Sequence, residues 1–175
     1  EFIDPGTASM LGKTGVIIVA HDNVRKRMST EQVLAFFNQK VPPSPKEALP
    51  VITFGTDTTF HLNGDEIQAV HAPKAHTDGD AIVHFKKGNI IHMGDLYFNG
   101  LYPFIDSASG GTIDGVIAAA DRALALANDQ TKIIPGHGPL SNKAELKAYR
   151  DMLATVASRI KAQLAAGKKL EEIVA

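Results

Sequence analysis

A mixed α/β domain, with helices flanking a sheet, is the fold class that this sequence of 175 residues predicts. Three observations carry that expectation. Short β-branched and aromatic runs follow one another from Val51 to Met93, divided by Asn63-Gly64-Asp65 and Lys87-Gly88-Asn89, which is hairpin-turn chemistry. Two later segments space apolar residues at the helical period behind Thr, Ser and Asn cap candidates. Gly15 to Ala20 (GVIIVA) is a continuous apolar run of strand length, the pattern of a strand covered on both faces.

The elements follow in order. Ser29-Thr30-Glu31-Gln32 has the Ser-x-x-Gln spacing of a capping box, and Val33, Leu34, Phe36 and Phe37 continue as an apolar stripe, so a helix is expected up to the break at Pro42, Pro43 and Pro45. The period then changes. Val51 to Phe54, Thr58 to Leu62, Glu66 to His71, Ala81 to Phe85 and Ile90 to Met93 read as a β-meander. A Gly-rich loop from Gly94 to Gly111 leads to a helix at about Thr112 to Ala127, capped by Thr112 or Asp114, and then to a buried strand at Lys132 to Ile134. Ser141 or Asn142 caps a long amphipathic helix that carries Leu146, Tyr149, Met152, Leu153, Val156, Ile160 and Leu164 and ends at Gly167. A short last helix runs from Leu170 to Val174.

Composition narrows the function classes. Apolar residues make up 44% and aromatic residues 6%, enough for one ordinary core. Eighteen basic residues stand against nineteen acidic ones, a formal charge of -1, which gives no pull toward nucleic acid or an anionic membrane. The basic cluster Arg25-Lys26-Arg27 is read as a solvated approach to a helix. No cysteine is present, so disulfides, thiolate metal sites and a cysteine nucleophile are excluded together, and any metal must sit on His, Asp or Glu. The apolar runs are far too short to span a membrane. Residues 1–10 lack periodicity and open with Glu-Phe, which a common cloning site encodes; they are read as a vector-derived segment, leaving 11–175 as a single partial domain. Gly12-Lys13-Thr14 is not a phosphate loop, because five residues rather than four separate it from Gly6.

Three loops after short strands each offer a metal-competent side chain beside glycine. They are His76 in Ala75-His76-Thr77-Asp78-Gly79-Asp80, Asp95 in Ile91-His92-Met93-Gly94-Asp95, and His137 in Pro135-Gly136-His137-Gly138. Strand ends place side chains along one rim of a sheet, glycine lets the backbone approach an ion, and imidazole with carboxylate suits Zn²⁺ when no thiolate is available. Ordinary turns would account for the same tetrapeptides, since the three are far apart in sequence. His92 reads as a strand residue, Asp80 as a turn residue bonding the backbone, and His21, His61, His71 and His84 as packed or solvated imidazoles. Tyr97, Asn99, Tyr102 and Phe104 would either line a pocket or cover the core.

In that order and with that strand and helix context, His76-Thr77-x-Gly79-Asp80, Gly94-Asp95 and Pro135-Gly136-His137-Gly138 resemble the later part of the metallo-β-lactamase fold hydrolases. The resemblance runs from about Leu11 to the end. It implies part of a four-layer αββα sandwich with a one- or two-metal site at the rim of its sheets, with His76 as a ligand of the first metal, Asp95 as the carboxylate bridging both, and His137 as a ligand of the second. The family's HxHxDH string does not occur in this sequence, and His21-Asp22 lacks its spacing. The resemblance therefore implies a truncated metal-dependent hydrolase with an incomplete two-metal site, zinc as its metal, an unknown small-molecule substrate, and little or no activity alone. A binding module with relic metal residues and a hydrolase completed in trans are the two alternatives. Exposed sheet surface and unpaired edges predict a homo-oligomer, with neither nucleic acid nor membrane as a partner.

Overall fold

A computed structural model of the protein describes residues 5–34 and 39–173. Its centre is a six-stranded sheet in which Ser141–Asn142, Lys132–His137, Ile90–Phe98, Ala81–Phe85, Asp65–His71 and Asp57–Leu62 lie side by side in that order. Strands β5 (Asp57–Leu62), β6 (Asp65–His71), β7 (Ala81–Phe85) and β8 (Ile90–Phe98) form the antiparallel meander that the turn residues predict. At the first turn Asn63 and Gly64 both take positive φ, 52° and 72°, the pair of left-handed residues that a two-residue hairpin needs. Asp65 ties this turn to the next. Its carboxylate accepts the N–H groups of Glu66 at 2.7 Å, Lys87 at 2.8 Å and Gly88 at 3.3 Å.

After β8 the chain crosses over through α3 (Ile113–Leu126) and returns as β9 (Lys132–His137), parallel to β8. Thr112 caps α3 by accepting from Gly115 N–H. Strand β10 (Ser141–Asn142) leads directly into α4 (Lys143–Ala165), whose cap is Asn142, and α5 (Leu170–Ile173) follows. The inward residues Ile82, Ile91, Met93 and Ile133 of the sheet meet Val116, Ala119, Ala120 and Ala123 of α3 and Leu146, Tyr149 and Leu153 of α4 in one core. The small residues of α3 let it lie close to the sheet. The last turns of α4 leave Val156, Ile160 and Leu164 more than a third exposed and bury Ala157 alone.

The earlier part of the chain departs from the sequence-based expectations. No helix begins at Ser29. Instead α2 (Asp22–Met28) precedes it, with Asp22 in its first turn and Arg25, Lys26 and Arg27 in its last, the charge order that suits a helix dipole. Ser29 ends α2, its hydroxyl donating to Arg25 O at 2.7 Å, and Thr30 donates to Lys26 and Arg27 carbonyls. Both hydroxyls turn back onto the preceding helix, and the chain after them runs on as an extended strand rather than a new helix. Residues Gln32–Leu34 (β2) pair with Gln39–Val41 (β3) as an antiparallel hairpin; Phe36 and Phe37 lie outside the described residues.

The GVIIVA run also behaves differently. Only Val19–His21 (β1) is strand, and it pairs in parallel with β4 (Ile52–Phe54) in a sheet of two strands among the described residues. Val16 is 49% and Ile17 64% exposed, so the run is not covered on both faces, and β4 belongs to this pair rather than to the meander. A helix, α1 (Pro5–Lys13), begins inside the segment read as vector-derived and runs past its end at residue 10, with Ala8 buried. The helix lies against the turn at Lys46–Ala48 so closely that a Cβ on Gly12 would fall 1.7 Å from Glu47 O.

Candidate metal centre

His76 sits in the loop between β6 and β7. Asp80 closes that loop, as a turn residue should, its carboxylate accepting the N–H and hydroxyl of Thr77, each at 2.7 Å. The His76 ring is buried, and its Nδ1–H donates to the carbonyl of Phe104 at 2.8 Å. A carbonyl can only accept, so the proton is on Nδ1 and the Nε2 lone pair is free to face the site. The start of α3 lies hard against the same loop: a Cβ on Gly111 would be 2.2 Å from His76 O.

Asp95 lies inside β8 rather than at its end, because the strand continues through the buried Leu96, Tyr97 and Phe98 instead of giving way to a loop at Gly94. The pairing with β9 is irregular at this point. Between the partners Gly94↔Pro135 and Phe98↔His137, β8 advances four residues and β9 two, and Asp95 rides on the surplus. Gly94 takes φ 51° and donates its N–H to His92 Nδ1 at 3.1 Å, so His92 supports the irregular turn and touches none of the three candidate residues by hydrogen bond. Opposite, Gly136 is essential to the fit, since a Cβ there would stand 2.2 Å from Asp95 Oδ1.

His137 ends β9 and stacks on Phe98, with ring centroids 4.6 Å apart and planes 19° from parallel. Its carbonyl accepts from Asn99 N–H at 2.9 Å. The structure thus brings together all three sequence-predicted residues. His76 Nε2 is 3.6 Å from Asp95 Oδ2, and His137 Nε2 is 3.3 Å from Asp95 Oδ1. One carboxylate stands between two imidazoles, one oxygen toward each. The His76 and Asp95 side chains are mostly enclosed, at 7% and 18% exposure, while that of His137 is open at 53%.

Imidazole nitrogen and carboxylate oxygen are donors for zinc, iron and similar ions. In type and direction the three residues fit the two sides of a shared carboxylate. In number they fall short: among the described residues no group of three or more His, Asp or Glu side chains is placed to hold one ion. Each side of Asp95 has a single imidazole.

Sequence reasoning missed the surroundings of the His76 loop. Asp78 holds four contacts: its N–H donates to Ser109 O at 3.0 Å, its carbonyl accepts from His71 Nε2 at 2.9 Å and Asn23 Nδ2 at 3.0 Å, and its carboxylate pairs with Arg27. His71 also stacks on the buried His21 at 3.6 Å, and His21 caps α2 by accepting Asn23 N–H. Asp78 was visible within the loop motif, but nothing in the sequence indicated that a residue fifty-one positions earlier would meet it. Of the four loop candidates, Tyr97 is core, its hydroxyl bonded to Ser141 Oγ at 2.8 Å; Tyr102 is exposed; Phe104 contributes its carbonyl to His76; and Asn99 Nδ2 donates to Pro139 O at 3.1 Å.

Comparison with known proteins bears on the fold and the family. Structural likeness extends to a metallo-beta-lactamase from Pontibacter korlensis, with TM-score 0.63, 21% identity, and 86% of this chain and 63% of that chain covered. DIM-1 metallo-beta-lactamase matches with TM-score 0.62 and 20% identity, over 86% of this chain and 64% of that one. TTHA1623, crystallised in a di-iron-bound form, matches with TM-score 0.61 and 23% identity, over 82% of this chain and 68% of that one. At these identities the likeness establishes the fold, and the chain spans less than two thirds of the first two structures. No curated protein matches it. The sequence model of the metallo-beta-lactamase superfamily matches residues 6–137, a span that takes in the His76 loop, Asp95 on its irregular strand and His137 at its last position, and so this chain belongs to that superfamily.

Proposed function

We propose that this chain carries part of the metal site of a metal-dependent hydrolase, with His76 and His137 as ligands on either side of a bridging Asp95. The superfamily is metal-dependent, and the observation that supports the reading is the single carboxylate held between two imidazoles by glycines that leave no room for a side chain. A metal bound there would lower the pKa of its water and supply hydroxide to a carbonyl or phosphorus centre. The chain's own part is orientation: Phe104 O fixes the tautomer of His76, Phe98 seats His137, and Gly94 and Gly136 aim Asp95 between them. With two donors per position, one of them shared, the isolated chain binds zinc weakly and hydrolyses little.

The test is zinc uptake by chelator-stripped protein, followed by elemental analysis after desalting and by the imidazole NMR signals during titration. Less than one tightly held ion per chain is expected, with His76 and His137 signals shifting at high zinc and no shift in the variant lacking His76, Asp95 and His137 together. Identical behaviour of that triple variant would refute the ligand assignment and favour a binding module with relic residues.

We also propose self-association. Val16, Ile17, Val51 and Ile52 are each about half or more exposed around the β1–β4 pair, and no Asp, Glu, Lys or Arg occurs from Thr14 to His21 or from Pro50 to Thr56. Charged residues are what usually keep such edges apart, so a second copy of this chain meets no repulsion there. Light scattering at micromolar concentration is expected to show a dimer or larger species, and I17K with V51K to return it to monomer; a monomeric parent refutes the proposal.

A further inference from the structure

We propose that Arg27, on α2, is a positioning residue for His76, acting through Asp78 and the short segment from Phe104 to Ser109; the functional meaning of this rests on the reading of His76 as a ligand.

The argument starts from how His76 is held. Its ring is oriented by Phe104 O, and its carbonyl accepts Asp106 N–H at 2.9 Å, so residues 104–106 grip both ends of one residue. The far end of that segment is the turn at Ser107–Ser109, closed when Asp106 Oδ1 accepts Ser109 N–H. Ser109 O is then taken by two donors from outside the turn, Asp78 N–H at 3.0 Å and Arg27 Nη2 at 3.1 Å. The same Arg27 nitrogen pairs with the Asp78 carboxylate. One guanidinium therefore joins the His76 loop to the segment that orients His76.

The packing around this joint is close on both sides. A Cβ on Gly79 would fall 2.7 Å from Val24 Cγ2 of α2, and Gly110, at φ 83°, would bring a Cβ to 3.2 Å from Asp78 Cβ. The Asp78 carbonyl is held by Asn23 of α2 and by His71, so α2 touches this loop through three of its residues, Asn23, Val24 and Arg27. Arg27 and Asp78 are partly solvent-exposed, at 25% and 35%. Exposed ion pairs contribute little to global stability, so the pair's value lies in where it puts the backbone. Outer partners of metal-binding histidines matter in just this way, by fixing tautomer and ring direction.

The experiment is made on the metal-free chain of 175 residues, so that it does not depend on metal uptake. Long-range ¹H–¹⁵N spectra report the His76 tautomer, and amide hydrogen exchange reports Asp106, Gly111 and Thr112 beside the core amides of Ile91 and Ile133. In the parent, His76 is expected as a single Nδ1–H form. In R27M and in D78N, a mixture of tautomers is expected with at least tenfold faster exchange at Asp106, core amides unchanged, and Tm lowered by no more than about 3 °C. R27K should restore most of the Nδ1–H form, and the R27M/D78N double variant should be no worse than R27M, since both substitutions act on the same joint. An unchanged His76 tautomer in both single variants overturns the proposal, as does equal acceleration of the core amides, which would make Arg27 a general stabiliser. Failure of the parent to bind zinc would count against the ligand reading alone and would leave these readouts standing.

Discussion

Replacing Gly136 by alanine is the most direct probe of how the candidate site is built. The added Cβ would stand 2.2 Å from Asp95 Oδ1, 2.5 Å from Gly94 C and 2.6 Å from Gly94 O. An ordinary carbon contact is about 3.5 Å, so β8 and β9 must separate by roughly 1 Å where they pair most irregularly. Two of the three obstructing atoms are backbone, and no rotamer change relieves them. Overpacking of this kind costs about 1–3 kcal/mol. In a chain of this size each kcal/mol lowers Tm by roughly 2–4 °C, giving an expected fall of about 2–12 °C. Gly88→Ala is the control, because the nearest atoms to its Cβ are at ordinary distances, 3.5 Å and 3.6 Å, and its φ is not positive. Thermal unfolding of both variants and the parent, followed by circular dichroism, decides the matter. If G136A melts within about 1 °C of G88A, the glycine is not what admits Asp95 to its place, and the account of the site's construction fails.

Three further outcomes follow from individual side chains. Burial, reinforced by the nearby Lys86, holds the His84 imidazole below its ordinary pKa, and its Nδ1 is enclosed with no hydrogen-bond partner among the described residues. The folded protein therefore binds fewer protons here than the unfolded chain, so this contribution to stability is full above about pH 6.5 and is lost as pH falls below it; the Tm of the parent should drop more between pH 7 and 5 than that of H84L. The Tyr149 hydroxyl is buried without a well-formed hydrogen bond, and burial raises its pKa; Y149F should melt at or above the parent at pH 7 and lose less stability above about pH 10, where only the unfolded parent releases that proton. Asn142 accepts Glu145 N–H at 3.0 Å at the start of α4, and N142A should cost about 1 kcal/mol, measured as a fall of roughly 2–4 °C in Tm.

The meander and the two helices over it were legible because their signals are local: Asn63-Gly64 permits one kind of turn, and Thr112 and Asn142 stand where caps are needed. The three residues around Asp95 were legible as chemistry, since each is a metal-competent side chain beside glycine. Their spacing was not, because Asp95 reaches its position through a pairing irregularity of β8 against β9 that no single segment announces. The helix expected at Ser29 failed for a related reason. A capping-box string shows that hydroxyls are available; here they bond the last carbonyls of α2, which has no apolar stripe to reveal it, while the residues after them pair with Gln39–Val41. Residue types were readable throughout; which neighbouring element each side chain would bond was not.

The sheet's connectivity also sets an order of events. From β5 to β8 every strand pairs with its neighbour in sequence, across turns or a single loop, while β9 arrives only after the whole of α3 has been laid down. Contacts near in sequence close cheaply and distant ones late. His76 and Asp95 are therefore brought into one neighbourhood by the early meander, and His137 joins them when the crossover closes. The three-residue cluster thus depends on the parallel pairing of β8 with β9: wherever that crossover is open, His76 and Asp95 stand without His137.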